Sequence, residues 1–119
     1  MSDSKKKYVD IDKSIVNLKG RKNLLIKIAR IYIENYETQL DQLQKSIDQK
    51  NAGQVKNAAH KIKGSLSNFA AQEAYNVAEI IERKADKGDL TDLQRDFEHL
   101  KQMMEDIADQ LQSFIDETH

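Results

Sequence analysis

The 119-residue chain contains no cysteine, no proline and no tryptophan, and only four glycines. Without cysteine there is no disulfide framework, no thiolate metal site and no thiol nucleophile. That absence fits a reducing compartment, and a cytoplasmic location is the expectation. Aromatic residues make up 6% of the chain. No apolar run approaches the roughly 18 residues a membrane-spanning helix needs, so membrane insertion is not expected. No charge of one sign dominates: 19 basic against 20 acidic residues leave a formal net charge of −1. A general nucleic-acid binder would be strongly basic, so that class is set aside. No glycine-rich phosphate loop is present, which argues against a nucleotide site and against a kinase acting alone. The opening "MSDSKKKYVD" has three lysines but no apolar stretch after them, so it is not read as a secretory signal. Residues 1–8 are expected to form a mobile arm, with one domain over 9–119.

What remains is rich in Gln, Lys, Glu, Asp, Ala, Leu and Ile, the composition of an all-α protein. Gly20, Gly53 and Gly88 fall between periodic segments and cut the chain into helices. The first, "DIDKSIVNLKG", can be capped by Asp10 or Asp12, and Gly20 suits a left-handed position after its end. The second runs from about Arg21 to Lys50 with Leu25, Ile28, Tyr32, Tyr36, Leu40, Leu43 and Ile47 at helical spacing. Its first half is apolar over a wider arc, adding Leu24, Ile26, Ile31 and Ile33, which calls for cover by the first helix and in part by a partner. Asn51 with Gln54 has the form of a capping box for a third helix reaching about Asn68. A fourth begins near Gln72 and stops before Gly88. The fifth starts at Asp89 or Thr91, and its stripe runs through Leu90, Leu93, Phe97, Leu100, Met104, Ile107, Leu111 and Phe114. Amphipathic helices on short connections predict an antiparallel four-helix bundle with a short extra N-terminal helix. The fifth helix could also form an intermolecular coiled-coil seam; the short connections favour the bundle, and a monomer.

The remaining glycine, Gly64, lies inside the third helix, where glycine costs roughly 1 kcal/mol relative to alanine. With Val55 set at the origin of a helical wheel, Ala59, Ile62, Leu66 and Phe69 fall within about 40° of it and form the core stripe. His60 falls at about 140°, Gly64 at about 180°, Ser67 at about 120°, Lys56 at about 100° and Lys63 at about 80°. The outer face therefore carries a histidine with an empty place one turn beyond it and cations to either side. A wet face alone accounts for most surface histidines but gives no reason for glycine at i+4. Close approach by another body does, because glycine removes the side chain that would block the imidazole. The small residues Ser65 and Ser67 fit that account. An ammonium one turn away could pair with a phosphoryl group carried on the ring.

The stretch "AHKIKGSLSNFAA" resembles the signature of the histidine-containing phosphotransfer domain of two-component phosphorelays. That signature runs His, any residue, Leu or Ile, Lys, Gly, small residues, Asn, an apolar residue, Gly and Ala. His60, Ile62, Lys63, Gly64, Asn68, Phe69 and Ala71 match it position by position. The resemblance covers the chain from about Val9. It implies a four-helix bundle with an exposed histidine mid-helix, His60 as phosphoryl acceptor, and Lys63, Gly64, Lys56 and Ser67 in support. It implies response-regulator receiver domains as partners, with a hybrid sensor histidine kinase as a further one. It also implies that the receiver brings Mg²⁺ and most catalytic groups, so that the chain holds no cofactor or metal and is a transfer module rather than an enzyme. One departure is Ala70, where the family has a glycine suited to a left-handed helix end. Asn68 is the next best residue for that conformation, which predicts an earlier helix stop or a different turn.

Other candidate sites are weaker. Asp96 and His99 at i, i+3 have the outline of half a di-metal site, but a second such pair is missing. His119 ends the chain and is expected to be disordered. The paired carboxylates read as solvated surface. The alternative function is a non-catalytic helical adaptor that binds receivers without transfer, and labelling of His60 would separate the two.

Overall fold

The computed structural model describes residues 6–118. Five helices follow in order: α1 Ile11–Asn17, α2 Lys22–Asp48, α3 Ala52–Ser67, α4 Gln72–Asp86 and α5 Leu93–Glu117. α2 packs on α3, α3 on α4, α4 on α5 and α5 back on α2, a closed antiparallel ring of four, while α1 packs on α2. No helix among the described residues is long and apolar enough to cross a membrane.

Local chemistry sets most of the boundaries. Asp10, not Asp12, caps α1 by accepting a hydrogen bond from the Lys13 amide at 3.0 Å. Asn51 caps α3 in the same way through the Gln54 amide at 3.1 Å. Gly20 is left-handed as expected, with φ +82°, and Lys19 before it shares that region at φ 58°. The start of α5 differs from expectation. Asp89 accepts from the Thr91 amide and hydroxyl and so builds a turn rather than a cap. Asp92, itself left-handed at φ 59°, then leads into a helix that begins at Leu93. Leu90 lies in the connection and is only partly buried.

The core runs the length of the ring. Leu25, Leu43, Ile62, Leu66, Phe69, Ile81, Leu100, Met103, Ile107 and Leu111 are fully buried. Tyr32 reaches in from α2, donates its hydroxyl to the Met104 carbonyl at 2.9 Å and meets the Phe69 ring edge-on at 5.5 Å. Burial pushes that phenol far above its ordinary range, and it stays a donor. The wide apolar arc on α2 is resolved in two ways. Ile26, Ile28 and Ile33, like Ile11, Ile15 and Leu18 of the N-terminal segment, are partly buried against the core, whereas Ile31 stays 53% exposed.

Of the arm expected over 1–8, residues 1–5 lie outside the described residues, as does His119. Residues 6–8 are tied down. The Gln110 side chain accepts from the Tyr8 amide at 2.9 Å and donates to the Lys6 carbonyl at 2.6 Å. Lys6 also pairs with Glu73 at 2.6 Å. Val9 is buried, and the Asp10 amide donates to the Phe69 carbonyl at 3.0 Å, so the strap reaches the turn after α3.

That turn corrects another expectation. Asn68 keeps right-handed geometry at φ −64° and forms the C-cap of α3. Ala70 itself takes the left-handed conformation, with φ 51°. The left-handed position expected for a glycine is held here by an alanine, which carries the strain.

Candidate functional site

α3 buries Val55, Ala59, Ile62 and Leu66 and presents the opposite face to solvent. His60 stands in the middle of that face with its side chain 70% exposed. Its Nδ1 lies 3.0 Å from Oε2 of Glu82 on α4. Gly64 is exposed one turn further on, and a Cβ built there meets nothing within 4 Å. Packing within the chain therefore does not demand glycine at this position. The open space beside the ring is there whether or not a side chain could fill it.

The cations on this face are already engaged. Lys63 sends its ammonium to Oε1 of Glu82 at 2.7 Å and lies 5.4 Å from the centre of the Tyr75 ring. Lys56 pairs with Asp86 of α4 at 2.7 Å, out in solvent. The three contacts Lys56–Asp86, His60–Glu82 and Lys63–Glu82 form one ladder across the antiparallel α3–α4 pair. Ser67 folds its hydroxyl back onto the Gly64 carbonyl at 2.8 Å, one turn beyond the ring. Ser65 faces α2 instead and hydrogen-bonds with Gln39 at 3.2 Å.

Glu82 is the residue that sequence reasoning missed. Its side chain is only 16% exposed. Burial alone would push its carboxyl up, but hydrogen bonds from Lys63 and His60 outweigh burial and hold it below the ordinary range. The hydrogen bond to Glu82 raises Lys63 in turn. The sequence holds one hint. Glu82 follows Ala78 by four and precedes Ala85 by three, so a carboxylate flanks the buried stripe of α4. Its reach to His60, 22 residues away, depends on the register of α3 against α4.

The remaining candidates are not brought to this face. Asp96 pairs with Lys84 at 2.8 Å and His99 is exposed on α5. Among the described residues no group of three or more His, Cys, Asp or Glu side chains is placed to hold a metal ion.

A family model described as the Hpt domain matches residues 27–110. Two solved structures share the fold. The crystal structure of histidine-containing phosphotransfer protein B from Pseudomonas aeruginosa aligns with a TM-score of 0.85 at 17% identity, covering 95% of this chain and 98% of that one. The HPT domain of a sensor hybrid histidine kinase from Shewanella aligns with a TM-score of 0.82 at 12% identity, covering 92% and 95%. No curated protein is significantly similar in sequence.

Proposed function

Because the chain belongs to the Hpt domain family, a family of phosphorelay transfer modules, we propose that His60 takes a phosphoryl group from a receiver-domain aspartate and yields it to another receiver. The observation that carries this reading is the exposed imidazole beside the unfilled space at Gly64, on the face opposite the core stripe. A receiver can bring its aspartyl phosphate to the ring there without displacing any side chain. In this reading the receiver supplies Mg²⁺ and most of the catalytic groups, while this chain supplies the nucleophile and its surroundings. In this reading the chain works in the cytoplasm, and it works as a monomer, since α5 spends its apolar stripe inside the bundle.

The supporting residues differ in weight. Gly64 gives access. Lys63 and Lys56 supply positive charge on the flank where a phosphoryl group would sit, Lys56 less because its pairing with Asp86 is fully exposed and screened. Ser67 tightens the last turn behind Gly64.

Mixing the protein with a phosphorylated receiver and Mg²⁺ should place phosphate on it through an acid-labile, base-stable linkage, as a phosphoramidate requires. ATP alone should label nothing. His60→Gln should abolish labelling with the helical spectrum unchanged, because the ring lies outside the core. Full labelling of that variant, or label on His99, would overturn the assignment and leave the adaptor reading.

A further inference from the structure

The face that carries His60 has two flanks of different charge. On the α4 flank the cations are already paired, Lys56 with Asp86 and Lys63 with Glu82, each at 2.7 Å. On the α2 flank Lys61, the residue after His60, and Lys45 line one shallow groove with Gln42, Gln54 and Asn57. Both lysines are exposed, and neither makes an ion pair among the described residues. No carboxylate lines that groove, and α3 contains no Asp or Glu at all. The α2 carboxylates nearest Lys45 in sequence are turned elsewhere. Glu37 and Asp41 line a groove against α5, and Asp48 accepts from Gln44, which also reaches Gln94 of α5.

The same division runs through the whole molecule. Residues 6–67, the segment through α3, hold 13 Lys and Arg against 6 Asp and Glu, whereas residues 68–118 hold 5 against 13. A net charge near zero thus conceals a basic half and an acidic half, and the acceptor ring stands on the basic one.

We infer that Lys45 and Lys61 form a docking point for carboxylates on the receiver's surface, so that this chain selects receivers that are acidic beside their phosphorylated aspartate. The inference rests on His60 being the phosphoryl acceptor. Two unpaired ammoniums can meet such a surface without giving up a partner inside the chain, as Lys56 and Lys63 would have to. Their attraction extends about 8–10 Å at physiological salt, so it acts on the approaching receiver before contact. Charge used in this way sets the encounter rate and the choice of partner more than the chemical step. The α4–α5 half repels the same receiver and leaves the α2–α3 face as its favoured approach.

Two receivers serve as probes, one acidic and one basic beside its aspartate, each phosphorylated by acetyl phosphate with Mg²⁺. Transfer to the full chain is read as a second-order rate constant at low receiver concentration and as a plateau rate with receiver in excess. With the acidic receiver, Lys61→Glu should lower the second-order constant about fivefold, and Lys45→Glu/Lys61→Glu about tenfold or more, with the plateau unchanged. The neutral pair Lys45→Gln/Lys61→Gln should lose less than the reversed pair. Lys101→Glu makes the same change of net charge as Lys61→Glu, but in the acidic groove between α2 and α5, and should stay within about twofold of the parent. The gap between parent and reversed pair should close near 1 M salt, where screening acts within about 3 Å. The basic receiver should gain from the reversal rather than lose.

Equal losses in Lys61→Glu and Lys101→Glu would make net charge the cause and overturn the inference. So would a fall in the plateau with the second-order constant unchanged. Binding of the unphosphorylated acidic receiver, followed through the ¹⁵N amide shifts of Asn57 and Lys61, does not depend on transfer. Those shifts should appear in the parent and vanish in the reversed pair, and their absence from the parent overturns the docking point even where His60 is labelled. A parent labelled by neither receiver overturns the phosphoryl role instead, and the amide shifts still decide the docking point.

Discussion

α3 and α5 are neighbours neither along the chain nor in the ring, and they use their surfaces differently. α5 buries 11 of its 25 residues, on an arc wide enough to take in Met103, Ala108 and Ile115 beside the main stripe. α3 buries 4 of its 16. A helix that buries a wide arc has its residues chosen by packing. A helix that buries a narrow stripe leaves most positions without a structural reason for their identity, and there an unusual residue can be read as chemistry. Gly64, with nothing within 4 Å of its missing Cβ, is such a residue; Leu100, fully buried, is not.

The largest effect expected from this contrast is on α5. Leu100→Ala removes a side chain with no exposed surface and should cost roughly 2–5 kcal/mol in chemical denaturation. The fraction that remains folded should still accept phosphoryl groups at the parent rate. A loss well under about 1 kcal/mol would show that α5 is not the central wedge of the ring. The opposite pattern is expected on α3. Gly64→Leu has room for its side chain and gains helix propensity, so stability should stay level or rise by up to about 1 kcal/mol. Transfer from a receiver should nevertheless slow about tenfold or more, a barrier of about 1.4 kcal/mol, because the side chain occupies the approach to His60. Unchanged transfer in that variant would make the two helices alike, with glycine incidental in one of them.

The same contrast explains what could be read from the sequence. Helices and core were legible because apolar residues at threes and fours record burial within one segment, as Val55, Ala59, Ile62 and Leu66 do. The exposure of His60 was legible for the same reason, as the complement of that stripe. Three things were not. The start of α5 was set by Asp89 bonding to Thr91 instead of capping, a choice between two local uses of one side chain. The four extra buried residues flanking the α5 stripe, Met103, Asp106, Ala108 and Ile115, reflect contact with two neighbouring helices at once. Glu82 was hidden because its pairing with His60 and Lys63 belongs to the register between α3 and α4, which no periodicity within either helix encodes.

The smallest effect concerns how each helix meets its connection. Both α3 and α5 are bounded by a left-handed residue that is not glycine: Ala70 at φ 51° after α3, and Asp92 at φ 59° before α5. The two should not carry the same strain. Aspartate is several-fold enriched in this region relative to other residues with a side chain, whereas alanine is not. Left-handed geometry costs a residue with a Cβ roughly 1–2 kcal/mol, and glycine returns about 0.4–1 kcal/mol of that by loosening the unfolded chain. Ala70→Gly should therefore stabilise the protein by about 0.5–1 kcal/mol, visible as a rise of a few degrees in the thermal midpoint. Asp92→Gly should give less. In the glycine variant the Asp10 amide should still donate to the Phe69 carbonyl, since that bond uses backbone atoms one residue earlier, so the strap across the turn should survive the change. Destabilisation by Ala70→Gly, or an equal gain at both positions, would mean that the turn after α3 holds its alanine without strain and that the family's glycine is not needed for the shape of this turn.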